Sequence, residues 1–137
     1  MTRLMLDTNV VLDLLLDRAP FATAAAALFD RVESGAIDGL LCAATLTTVQ
    51  YLAARSIGRT ASVQAIRDLL TLFEVAPVHR SVIERALVSP ITDFEDAVLA
   101  ESAALAGAQA IVTRNARDFR PGALPVYTPD EWLALPL

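Results

Sequence analysis

Short apolar runs, too brief to be helices, alternate along this chain with longer segments of helical spacing. That is the pattern of βα units feeding a parallel sheet. Leu4-Met5-Leu6, Leu40-Leu41-Cys42, Phe73-Glu74-Val75, Ala110-Ile111-Val112-Thr113 and Pro125-Val126-Tyr127 read as strands. Helices are expected from about Val10 to Leu16, Ala22 to Ser34, Leu46 to Ile57, Thr60 to Leu72, Ser81 to Val88, and Thr92 or Asp93 to Ala106. A last helical turn follows Thr128, and Arg114 to Arg120 reads as a polar turn. Gly35, Gly58 and Gly107 fall where helices stop, and Thr60 is a natural N-cap. With 137 residues, 55% of them hydrophobic, the chain can bury a real core. One α/β layer structure spanning 1–137 as a single domain accounts for the whole length.

The charge balance and rare residues narrow the chemistry. Eleven basic against sixteen acidic residues leave a net charge of −5, which disfavours capture of nucleic acid by a broad basic face. A single Cys42 and a single His79 leave catalytic triads, zinc fingers and His-based metal sites without their parts. Chemistry must rest on carboxylates, hydroxyls and arginines; all the basic residues are Arg. The lone thiol fits a reducing compartment, as a small buried apolar group. Asp7 arrives before a signal-peptide core could form, and no apolar run approaches the roughly 20 residues that cross a bilayer. A cytoplasmic protein with no membrane partner is expected.

In open parallel sheets, ligands bind beyond the carboxyl ends of the strands, where strand order reverses. Asp7 follows the first strand, Asp93, Glu95 and Asp96 open the long helix, and Asp118 lies just beyond the late strand. Each also has a purely structural role open to it. Asp7 can cap the next helix, and Thr92-x-x-Glu95 matches a capping box, the better reading for Glu95. Asp93 can cap while Asp96 projects, and Asp118 can be a turn residue. Asp13, Asp17, Asp30 and Asp38 read as solvated acids. Two carboxylates about 4 Å apart repel by roughly 4 kcal/mol at an effective dielectric near 20, so a cluster calls for protons or a cation. Oxygen-only ligands favour Mg²⁺ or Mn²⁺, which activate water and polarise phosphoryl oxygens. Metal-dependent phosphodiester hydrolysis follows if these acids converge.

Leu6-Asp7-Thr8-Asn9-Val10-Val11-Leu12-Asp13, then Asp93-Phe94-Glu95-Asp96-Ala97, then Ile111-Val112-Thr113-Arg114-Asn115-Ala116-Arg117-Asp118-Phe119 together resemble the PIN-domain family, in particular its VapC-like toxins. The resemblance runs over nearly the whole chain and implies a three-layer α/β/α sandwich with a central, mainly parallel sheet. It implies a Mg²⁺- or Mn²⁺-dependent ribonuclease whose metal-binding acids match Asp7, Asp96 and Asp118, with Asp93 an additional catalytic candidate. Thr8, Asn9 and Thr113 match positions that orient these acids or contact phosphate, and Asn115 is a nearby polar partner. One position departs from the family. A T-x-x-E pattern on the helix after the second strand is usual, yet Thr45-Leu46-Thr47-Thr48 places Thr48 there, with Gln50 two residues on, and no acid occurs between Gly39 and Arg67.

An endoribonuclease, the toxin of a type II toxin–antitoxin pair, is the leading reading. Arg114, Arg117 and Arg120 could guide the RNA backbone, and each also fits a solvated loop. The resemblance further implies a homodimer inhibited by a small antitoxin. Leu14, Leu15, Leu16, Leu69, Leu70, Leu72 and Phe73 could supply a dimer face or simply core. The missing Glu supports a different class, a PIN-fold binding module with little or no nuclease activity. A haloacid-dehalogenase-like phosphatase needs a second Asp where Asn9 stands, and no Gly-rich loop supports a nucleotide site.

Overall fold

The computed structural model of the chain describes residues 2–136; Met1 and Leu137, the two ends of the expected domain, lie outside the described residues. Its elements run β1 (Thr2–Leu6), α1 (Thr8–Leu15), α2 (Ala22–Glu33), β2 (Ile37–Cys42), α3 (Ala43–Ile57), α4 (Arg59–Leu72) and β3 (Glu74–Ala76). They continue with α5 (Arg80–Leu87), α6 (Phe94–Leu105), β4 (Ala110–Val112), α7 (Ala116–Phe119), β5 (Val126–Tyr127) and α8 (Pro129–Leu133). The five strands lie in the order β3-β2-β1-β4-β5, every neighbouring pair parallel. The expected α/β/α sandwich is therefore present, with a sheet that is wholly rather than mainly parallel.

Strand alternation divides the core into two. Leu4, Leu6, Ile37, Leu41, Ala110 and Val112 face one side, against α1–α4 through Val10, Val11, Leu28, Phe29, Val49 and Leu69. Met5, Leu40, Cys42 and Ile111 face the other, against α5–α7 through Val82, Ala86, Ala97, Leu99 and Phe119. Both faces of the sheet are covered, which is why its strands read as continuous apolar runs. Of the leucines considered for a dimer face, Leu69 is buried with Phe73, and Leu14, Leu15, Leu16 and Leu72 pack against the core. Leu70 alone of that set is more than half exposed.

The structure corrects several boundaries. β2 starts at Ile37, earlier than the apolar run Leu40-Leu41-Cys42, because polar Asp38 and small Gly39 belong to the strand. Asp38 pairs in register with Arg3 of β1 and accepts a hydrogen bond from its guanidinium, so its charge is met at the strand's edge. Gly39 lies under the Phe73 ring, which a Cβ would approach to 2.6 Å. Thr60 caps nothing; α4 begins directly after Gly58. The polar turn after β4 contains a short helix, α7, which is anchored by burying Phe119. The capping box forms at Thr128 and Glu131, not at Thr92 and Glu95. Among the described residues, no helix is long and apolar enough to cross a membrane.

The chain leaves β1 toward β2 on one side, while β4 pairs with β1 on the other. Strand order thus reverses between β1 and β4, and the crevice beyond their carboxyl ends is where such sheets bind ligands. Asp7 and Thr113 stand at that point.

Candidate functional site

Asp7 ends β1 and starts α1, so one side chain performs both roles considered for it. Its N–H donates to Val112 O across the sheet at 2.9 Å. Oδ1 accepts the Thr8 N–H at 2.7 Å as the helix cap, and Oδ2 accepts the Thr113 hydroxyl at 2.7 Å. The carboxyl is only 8% exposed. Burial pushes its pKa up, the Thr113 and Thr8 hydrogen bonds oppose that, and the nearby charge of Glu95 adds to it.

Thr113, fully buried, ties the switch point together. Besides donating to Asp7, its oxygen accepts the Asn115 N–H at 3.0 Å and the Asn9 side-chain amide at 3.4 Å. Asn9 Oδ1 in turn accepts the Arg114 N–H at 3.3 Å. Asn9 and Thr113 are thus linked to Asp7 and to the start of the loop after β4 by hydrogen bonds. Asn115 contributes through its backbone, its side chain being exposed.

The second wall is the first turn of α6. Asp93 is its N-cap, Oδ1 accepting the Asp96 N–H at 2.9 Å, so the capping box assigned to Thr92 and Glu95 is not formed. Glu95 lines the cleft instead. Asp96 is half-buried, and its carboxyl is pushed up to about 7, first by desolvation and then by the charges of Asp7, Asp93, Asp118 and Glu95. Asp7, Thr8, Asn9, Asp93, Glu95 and Asp96 wall one cleft of about 310 Å³, whose remaining lining includes Arg18, Cys42, Thr45, Leu52 and Leu99. Asp118, exposed on α7, acts on Asp96 by its charge but stands outside that wall.

The position where an acid was missed has a clear geometry. Thr48 is outside the cleft lining and donates its hydroxyl to Ala44 O at 3.3 Å. Gln50 turns to α4, donating to Ser62 Oγ at 3.2 Å. The α3 hydroxyl that lines the cleft is Thr45, buried and bonded to the Thr8 hydroxyl at 3.1 Å. Sequence reading passed over Thr45; its place at the first turn of the helix after β2, one turn before Thr48, was the available signal.

Asp13 and Arg114 change roles together. Asp13 is 1% exposed, not solvated. Arg114 grips both its oxygens, Nε at 2.6 Å and Nη2 at 3.2 Å, while the guanidinium lies over the Phe21 ring at 4.0 Å. Arg114 therefore ties α1 to the end of β4. Arg117 and Arg120 are exposed.

Among the described residues, no group of three or more His, Cys, Asp and Glu is drawn together closely enough to hold a metal ion. The donor set nevertheless fits a hard divalent cation. It is all oxygen, and the repulsion that raises Asp96 is the repulsion a cation would relieve.

No curated protein matches the chain in sequence. Solved structures do superpose on it. FitAcB from Neisseria gonorrhoeae aligns at TM-score 0.69 and 19% identity, over 92% of this chain and 97% of that one. DNA-bound VapBC from Salmonella typhimurium aligns at 0.70 and 19%, over 94% and 99%. Mycobacterium tuberculosis VapC20, described as a sarcin–ricin loop cleaving toxin, aligns at 0.64 and 22%, over 79% and 86%. These likenesses establish a shared fold. The sequence pattern of the PIN domain matches residues 3–117, so the strand-Asp7 start, the acidic opening of α6 and the β4 end fall within one family unit, and the chain belongs to the PIN domain family.

Proposed function

We propose that this chain is a metal-dependent endoribonuclease that hydrolyses RNA phosphodiester bonds, acting as the toxin of a type II toxin–antitoxin pair. The observation that carries the reading is the cleft walled by Asp7, Asp93, Glu95 and Asp96, with Asp118 near enough to act on Asp96. Asp7 and Asp96, with Asp118, would hold Mg²⁺ or Mn²⁺, which when bound supplies a lowered pKa for water and polarises a phosphoryl oxygen. Thr8 N–H and Thr113 Oγ1 fix the two oxygens of Asp7, so its remaining lone pairs face the cleft in a set orientation. Asp93, also on the cleft wall, is oriented by accepting the Asp96 N–H. Leu12, Leu52 and Leu99 supply apolar lining to the same cleft.

Membership of the PIN family supports nuclease chemistry. RNA as substrate is supported by the similar structure described as a sarcin–ricin loop cleaving toxin, and a small antitoxin as partner by one described as a toxin–antitoxin complex from Klebsiella pneumoniae. A homodimer belongs to the same reading. RNA cleavage with Mg²⁺ or Mn²⁺ tests it: wild type should cleave and Asp96→Asn should not, and equal cleavage removes the mechanism.

A second reading, a PIN-fold binding module with little nuclease activity, is favoured by one observation. Thr48 stands where an acid is usual and spends its hydroxyl on a backbone carbonyl. Mn²⁺ titration separates the two. A tight site lost in Asp7→Asn supports the nuclease, and no binding supports the module.

A further inference from the structure

Arg18 is the one basic side chain among the described residues that line the carboxylate cleft, and the sequence motifs do not use it. Its Nη1 stands 3.8 Å from Asp13 Oδ1, an ion-pair distance beyond hydrogen-bond reach. Asp13 does not need it, because Arg114 already satisfies both carboxylate oxygens. The side chain is 39% exposed, lines the cleft and makes no side-chain hydrogen bond among the described residues.

The backbone beneath this free side chain is held firmly. Arg18 N–H donates to Asp13 O at 3.0 Å, and Arg18 O accepts from both Phe21 and Ala22 N–H at 2.8 Å. Asp17 before it takes a positive φ of 49°, which turns the chain from the end of α1 back toward α2. The base of the side chain is thus fixed at the cleft rim while its head remains available.

An anionic strand meets repulsion from four carboxylates on entering this cleft. A guanidinium on the same wall offsets that repulsion locally, and its planar fork matches two phosphate oxygens. Arg114, which the sequence nominated for this task, has two donors on Asp13 and its face on Phe21. We propose that Arg18 is the phosphate-binding residue of the cleft, contacting the backbone of single-stranded RNA next to the bond presented to Asp7 and Asp96. This assignment rests on the nuclease reading above.

Binding of a fluorescently labelled single-stranded RNA tests it, measured by anisotropy with Mg²⁺ in the cleavage-deficient Asp96→Asn chain. Adding Arg18→Gln should weaken binding about tenfold and flatten the slope of log K against log salt by about 0.7, the loss of one phosphate contact on a single strand. Arg18→Lys should keep the salt slope, and Arg85→Gln, the same charge removed from exposed α5, should change neither quantity. In the chain with Asp96 intact, Arg18→Gln should raise KM for cleavage with little change in kcat, at an unchanged melting temperature. Unchanged affinity and salt slope in Arg18→Gln overturn the assignment while leaving the nuclease reading standing. A parent chain that neither binds nor cleaves RNA overturns both.

Discussion

Replacing Asp96 by Asn should stabilise the fold at alkaline pH while abolishing catalysis. The folded chain holds the Asp96 carboxyl at about 7, against 3.8 for an unperturbed side chain. Below about pH 4 the group is protonated in both folded and unfolded chains and contributes no penalty. Between about 4 and about 7 the unfolded chain releases its proton and the folded chain keeps it, so stability falls as pH rises. Above 7 the full penalty of an ionised carboxylate among carboxylates remains. At face value the shift is worth about 4 kcal/mol, but Asp96 is half-exposed and solvent screening brings this to about 1–2 kcal/mol. Asparagine keeps the shape and cannot ionise. Denaturation in EDTA should therefore show Asp96→Asn more stable than wild type by about 1–2 kcal/mol at pH 8, a rise in Tm of roughly 5 °C. The gap should shrink to about a third at pH 5, where little of the linkage has accumulated. Adding Mn²⁺ should stabilise wild type and leave Asp96→Asn nearly unchanged. A less stable Asp96→Asn at pH 8, or a gap independent of pH, would falsify the burial and charge crowding that together raise this carboxyl.

Two more perturbations probe the supports of the site. Thr113→Val keeps the side-chain volume but strips the hydroxyl from Asp7 Oδ2 in a fully buried setting, so urea denaturation should show a loss of about 1–3 kcal/mol, with RNA cleavage falling as Asp7 loses its orientation. Asp13→Asn leaves the Arg114 guanidinium without its counter-charge and should cost about 3 kcal/mol; the double change Asp13→Leu with Arg114→Met should recover much of that, because an apolar pair replaces a buried ion pair at little cost. A double change no more stable than Asp13→Asn would count against the tie between Asp13 and Arg114.

Much of the fold was legible because local patterns and tertiary packing agree. The runs at Leu4, Leu40 and Ala110 are short and apolar since both faces of those strands are buried, and the helices carry one apolar stripe each. β2 was read too short for the converse reason. Asp38 and Gly39 look like a turn, and only Arg3 on the neighbouring strand and the Phe73 ring above explain them. The capping box shows the same limit: Thr92-x-x-Glu95 and Thr128-x-x-Glu131 both fit the pattern, and Asp93, one residue on, won the first site.

By itself the sequence determined the alternation of strands and helices, the oxygen-only chemistry left by a single His and a single Cys, and the three stretches that carry the acids. Tertiary structure decided which of those acids share a cleft: it brings the first turn of α6, with Asp93, Glu95 and Asp96, to the end of β1 at Asp7, acids far apart along the chain, and leaves Asp118 outside the wall. It also decided which arginine holds Asp13: packing between α1 and the end of β4 buries that acid, places Arg114 on both its oxygens and leaves Arg18 at 3.8 Å on the cleft lining.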